Sequence, residues 1–245
     1  MTETLSALLL AHALADFVFQ TGWMVTNKSR PHVLLLHGAI VFALGLLAVG
    51  QFWAPVIGVL ALLHIATDAL KLRFGDDGLR AYLLDQAAHT VAILAVALIA
   101  PTLFQDGWWP GLLPDPYDPW LPTAMAWVAG MILAVRAGGF AVAKLLAPYA
   151  TFWNRYAVFS GSLPNAGRMI GELERGLTYV LITAGQPTGV AFLIAAKSVL
   201  RFNATKDDRK IAEYVIIGTL ASVGWALLVA FAAHALIGRL IVAAP

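Results

Sequence analysis

Three histidine–aspartate pairs stand four residues apart: His12 with Asp16, His64 with Asp68, and Asp85 with His89. Residues at i and i+4 share a helix face, so each pair presents an imidazole and a carboxylate together. His37 adds a further imidazole. Imidazole and carboxylate are the ligand set of Zn²⁺ and other first-row divalent ions. The chain has no cysteine, which excludes thiolate metal sites, disulfides and a cysteine nucleophile. A divalent metal, with zinc as the candidate, would bring a bound water toward a pKa of ~7 in a dry cavity. The metal-ligand candidates are Asp16, His37, His64, Asp68, Asp85 and His89. One unligated carboxylate, Asp16 or Asp85, is the catalytic candidate as general base. His12, His32 and His234 are read as packing or interfacial residues.

A second group carries other chemistry. Arg168, Glu172 and Arg175 fall at i, i+4 and i+7, with Glu174 on another face. Lys197 and Arg201 form an i,i+4 pair, Glu213 follows, and Arg136 stands alone in an apolar stretch. Guanidinium and ammonium groups hold phosphates and carboxylates. The substrate-binding candidates are therefore Gln20, Lys71, Arg168, Glu174, Arg175, Lys197 and Arg201.

The elements that must position these groups are strongly apolar. Of 245 residues, 60% are hydrophobic and 12% charged, against about 25% charged in an average soluble domain. The mean hydropathy is +0.78. Such a composition excludes an ordinary soluble enzyme, a disordered chain and a nucleic-acid binder. The pI near 9.0 does not alter this, since the net charge is only +2.

Eight apolar stretches approach the ~20 residues that cross a bilayer as helix: 5–26, 32–50, 54–74, 79–101, 120–147, 167–185, 188–203 and 210–238. The expected fold is all-α, a polytopic transmembrane bundle forming one domain over 1–245. It has a His/Asp-rich half (1–101) and an Arg/Lys/Glu-bearing half (120–245). The N-terminus does not read as a secretory signal, having Glu3 and no Lys or Arg ahead of the apolar run.

Eight spans sort twelve of the sixteen Lys and Arg residues, among them Lys28, Lys71, Lys144, Arg168 and Arg201, onto one set of loops. The positive-inside rule then puts both termini outside. At ~1.5 Å rise per residue, Asp16, His64 and His89 reach the bilayer centre. On the same rise His37, Asp68, Asp85 and Gln20 lie about 6–8 Å toward the cytoplasm, so all seven fit one buried layer open to the inside. An ionisable group there costs about 2.5–3.5 kcal/mol on insertion scales, so each needs a reason.

Two other uses compete with metal binding. Acids and bases are nearly balanced inside the spans, which suits a network of ion pairs joining helices. Chains of His and Asp also relay protons, the basis of a proton-coupled transporter or channel. Against transport, the sequence shows neither an internal repeat nor a broken helix pair. Gly167-x-x-x-Gly171 and Gly138-Gly139 read as helix-packing sites.

Several strings carry a family resemblance. They are His12-x-x-x-Asp16-Phe17-x-x-Gln20-Thr21-x-Trp23-Met24 with Asn27-Lys28, Gly167-x-x-Ile170-Gly171-x-Leu173-Glu174-Arg175, Ala195-Ala196-Lys197-Ser198-x-x-Arg201-Phe202, and Glu213-Tyr214-x-x-Ile217-Gly218-Thr219-Leu220. Together they resemble a bacterial membrane family called domain of unknown function 3307, over nearly the whole chain except 102–165. The resemblance implies a helical fold in a bacterial inner membrane and no reaction. Its signature positions fall on Asp16, Gln20, His64, Asp68, Asp85, His89, Glu174, Arg175, Lys197, Arg201 and Glu213.

The expectation is a membrane-embedded, metal-dependent enzyme, a hydrolase or transferase. It would act from the cytoplasmic side on a lipid-like or anionic small molecule. Its partners are membrane lipid and that substrate, with a homo-oligomer allowed and nucleic acid excluded. The alternatives are the proton-coupled transporter or channel and a structural subunit of a larger complex.

Overall fold

The computed structural model describes residues 1–112, 120–149, 165–205 and 209–242, with side chains of 200–211 left out. The described residues are helical, with no strand among them. In chain order they are α1 (Thr2–Leu14), a π-helical turn (Ala15–Phe19), α2 (Gly22–Asn27), α3 (Pro31–Val49), α4 (Pro55–Phe74) and α5 (Leu79–Ile99). Then come the short α6 (Trp109–Leu112), α7 (Trp120–Ile132), a second π-helical turn (Leu133–Ala137), α8 (Gly138–Leu146) and a 3₁₀ turn (Ala147–Tyr149). The chain ends in α9 (Ala166–Thr183), α10 (Pro187–Thr205) and α11 (Arg209–Val242).

Local chemistry explains the boundaries. Proline opens α3 and α4, where its missing N–H has no helical partner to lose. Gly50 ends α3 at φ +73°, a left-handed cap that glycine adopts without strain. The first span does not run to residue 26 as one helix. Gln20 turns extended at φ −74°, ψ 95°. Thr21 then caps α2, its Oγ1 accepting from the Met24 N–H.

Among the described residues, six helical segments are long and apolar enough to cross a membrane: Thr2–Phe19, Pro31–Val49, Pro55–Phe74, Leu79–Ile99, Trp120–Tyr149 and Ala212–Val242. The protein is multi-pass on this ground. The sixth and seventh expected spans form a helical hairpin, α9 and α10, outside that set. Four charges, Arg168, Glu172, Glu174 and Arg175, crowd the stretch of α9 from Ala166 to Arg175. The apolar part of α10, Pro187–Val199, covers only about 20 Å at helical rise.

The chain forms two compact units, Met1–Ile132 with Ala235–Pro245, and Leu133–His234. In the first, α1 packs on α3, α5 and α7, while α4 lies against both α3 and α5. Leu8, Val49, Ile57, Ile93, Val96 and Phe104 build its apolar core. One end is closed by polar clasps. Thr4 Oγ1 donates to Pro101 O and accepts from Phe104 N–H, Gln51 donates to Leu103 O, and Trp108 N–H donates to Gly50 O. Large apolar residues also face outward, such as Leu35, Leu62 and Leu98, as a lipid-facing surface requires. In the second unit, α9 packs on the π turn Leu133–Ala137, on α8 and on α10.

Candidate functional site

The first unit buries a compact His/Asp cluster. Its residues come from α1 and its π turn (His12, Asp16), α3 (His37), α4 (His64, Asp68) and α5 (Asp85, His89). All seven are nearly inaccessible to solvent.

At its heart four acceptor atoms converge. Asp16 Oδ1 lies 3.3 Å from both His37 Nε2 and His64 Nε2. The two nitrogens are 3.0 Å apart. Asp68 Oδ2 stands 3.6 Å from each nitrogen. A separation of 3.6 Å is too long for a hydrogen bond, and one imidazole N–H cannot serve three acceptors. Ligands at ~2.0–2.1 Å from a tetrahedral zinc stand about 3.3–3.4 Å from one another. The five separations among these atoms lie on either side of that value, and Asp16, His37 and His64 together form a group that could hold a divalent ion.

The cluster extends past this core. Asp68, Asp85 and His89 each bring a ligand atom within 4.8 Å of the others, as do His12, His64 and His89. The His64 and His89 rings stack at 3.9 Å and 11°. Asp85 Oδ1 and both His89 nitrogens are buried without a hydrogen-bond partner among the described residues. Such orphaned groups are costly unless an ion or water meets them. A cavity of about 20 Å³ beside His12, His64 and His89, walled by Leu8, Leu60 and Ile93, has room for one water.

Two lysines brace the carboxylates. Lys28 Nζ lies 2.7 Å from Asp68 Oδ2, and Lys71 Nζ donates to Asp85 Oδ2 at 2.9 Å. Gln86 reaches Asp16 and Asp85 Oδ2 at 3.4 and 3.3 Å. Lys71, a substrate-binding candidate by sequence, is thus engaged by Asp85. Lys28, assigned by sequence to a topology-setting loop, is only 15% exposed, because the break at Gln20 returns the chain toward α3. Gln20 ends the π turn with its Nε2 buried and without a hydrogen-bond partner among the described residues.

Sequence reasoning set aside His12, yet its ring lies 5.4 Å from that of His89 and 5.9 Å from that of His64. Its i,i+4 spacing to Asp16 was the available signal. Nothing in the residue pattern marked Gln86 except its place beside Asp85.

The remaining candidates occupy the second unit, around a cavity of about 430 Å³. Arg168 Nε donates to Glu172 at 2.9 Å, with the arginine 65% exposed. Lys197 Nζ pairs with Glu174 at 2.7 Å. Glu174, expected on a different face of α9 from its charged neighbours, lines the same cavity as Arg168, Glu172 and Arg175. Arg175 is buried. The side chain of Arg201 lies outside the described residues.

No curated protein and no solved structure matches the chain. The strings at 167–220 lie outside the residues that the family model below matches. Residues 4–107, which carry every ligand candidate of the His/Asp centre, match the family described as Protein of unknown function (DUF3307).

Proposed function

We propose that the protein is a metal-dependent membrane enzyme, a hydrolase or transferase acting from the cytoplasmic side of a bacterial inner membrane on a lipid-like anionic substrate. The observation that carries this reading is the convergence of Asp16 Oδ1 and Asp68 Oδ2 on the paired nitrogens His37 Nε2 and His64 Nε2, with separations of 3.0–3.6 Å. A divalent ion there supplies Lewis acidity and an acidified water. Asp85, with one free carboxylate oxygen beside His89, is placed to accept a proton. Lys71 holds the other oxygen and so fixes the orientation of Asp85. In this reading α9 and α10 also enter the membrane, giving eight spans with both termini outside.

The test uses full-length protein in detergent, equilibrated with zinc and then desalted. Wild type retains stoichiometric metal and releases water-soluble product from extracted membrane lipid; His64→Ala and Asp16→Asn lose both properties. Wild type without stoichiometric transition metal, together with a fully active His64→Ala protein, overturns the reading.

One observation favours a second reading. His12 Nδ1 and His89 Nδ1 lie 3.8 and 3.9 Å from Asp16 Oδ2, a gap that a small ring rotation would close for proton hand-over through the first unit. Proton-coupled flux in proteoliposomes, abolished by Asp16→Asn, would assign the cluster to a transporter or channel.

A further inference from the structure

The charged residues around the 430 Å³ cavity of the second unit are not equivalent. Four cations line it (Arg136, Arg168, Arg175 and Lys197) against two acids, Glu172 and Glu174. Both acids are already paired, with Arg168 and Lys197 respectively. The balance of four positive and two negative groups leaves an excess of two positive charges, with Arg136 and Arg175 outside the two close ion pairs.

Arg175 is the more unusual of the two. It is only 4% exposed, yet the hydrogen-bond partners of its guanidinium are neutral, and Glu172 and Glu174 act on it only at longer range. Nε donates to Val135 O at 3.1 Å, and Nη1 to Ser222 Oγ at 3.0 Å. The fork lies in a slot that glycines make possible. A Cβ on Gly171 would stand 3.0 Å from Nη1, and one on Gly139 3.1 Å from Nη2. The π turn contributes the carbonyls: Val135 O takes Arg175, and Leu133 O takes the Trp225 indole N–H at 3.0 Å. Arg136 sits on the same turn, lines the same cavity and makes no ion pair or hydrogen bond among the described residues. A buried charge outside any close ion pair is destabilising, and an arginine inside an apolar span is expensive on its own account.

We propose that this cavity binds a phosphate group, with Arg175 and Arg136 as its two guanidinium ligands. Two forks can each offer paired N–H donors to a tetrahedral oxyanion. Phe140, Leu146, Ile170 and Val215 give the rest of the cavity apolar walls, suited to the body of an amphipathic phosphate ester. The phosphate is the shared chemistry of a lipid headgroup and a soluble ester. The proposal names the substrate class of the enzyme reading and in that sense rests on it, but phosphate binding itself needs no metal.

The test is calorimetric titration of full-length protein in detergent with three probes: inorganic phosphate, dihexanoyl phosphatidic acid and dihexanoylglycerol. Chelator is present throughout, and the His64→Ala protein is run in parallel, so failure of the metal reading leaves the result intact. At least one phosphate-bearing probe binds and dihexanoylglycerol does not. Arg136→Gln, at an exposed position that spares the fold, weakens that binding about tenfold or more. Phosphatidic acid binding alone identifies a lipid headgroup; inorganic phosphate binding equally well identifies a soluble ester. The proposal is overturned if neither phosphate probe binds, if dihexanoylglycerol binds as tightly as phosphatidic acid, or if Arg136→Gln binds like wild type.

Discussion

Lys28 touches the same oxygen that a metal would use. Its ammonium lies 2.7 Å from Asp68 Oδ2, which has two opposed consequences. As a brace it orients a ligand, and loss of such a contact weakens metal affinity 10- to 100-fold, about 1.4–2.8 kcal/mol. As a cation it repels the ion. Two unit charges 4 Å apart interact by about 4 kcal/mol at an effective dielectric of 20, and a divalent ion doubles that. Repulsion wins, so Lys28→Met should bind zinc at least tenfold more tightly than wild type, read by competition against a chromogenic chelator. Weaker binding would make Lys28 a positioning residue instead. Lys71 is a different case, since Asp85 Oδ1 stays free when Oδ2 is held. Lys71→Met should leave metal affinity within a few-fold and mainly lower turnover, through a less fixed Asp85.

At the scale of elements, the apolar runs made the first five spans and the last legible, and the i,i+4 pairs marked Asp16, His64, Asp68, Asp85 and His89. Other features were hidden for physical reasons. Hydropathy does not encode a shift from i→i−4 to i→i−5 hydrogen bonding, so neither π turn could be read. Yet Asp16 lies on one and Arg136 on the other, in keeping with the frequent use of π bulges at functional sites. Charge counting on loops assigned Lys28 to the membrane surface, because it cannot see a chain that turns back at Gln20. The neutral partners of Arg175 come from Val135 and Ser222, 40 and 47 residues distant, beyond the reach of any periodicity. Gly107 gives an element-scale prediction. A Cβ there would strike the carbonyl oxygens of Val49 and Gly50, part of the clasp that closes one end of the first unit. Gly107→Ala should destabilise by about 1–3 kcal/mol, seen as a lower Tm in detergent. Metal stoichiometry should be unchanged, since along α1 the clasp residue Thr4 is about 18 Å from Asp16 at helical rise.

For the whole molecule, the four converging ligands come from three separate helical segments: the π turn after α1, α3 and α4. An ion that joins them should act as a cross-link between helices that otherwise meet mostly through apolar packing. Ligand binding to the folded state stabilises it by RT ln(1 + [L]/Kd), about 4.1 kcal/mol at a thousand times Kd. At 2–4 °C per kcal/mol for a chain of this size, removing the metal with chelator should lower Tm by roughly 8–16 °C. The increment must also depend on pH with a defined sign. Imidazole and carboxylate bind metal only when deprotonated, so binding releases protons and acidification opposes it. The Tm difference between zinc-loaded and chelated protein should therefore be largest near neutral pH and shrink as the medium is made acidic, while His64→Ala shows no difference at any pH. A zinc-dependent increment that persists in His64→Ala, or that grows on acidification, would place the ion elsewhere on the chain.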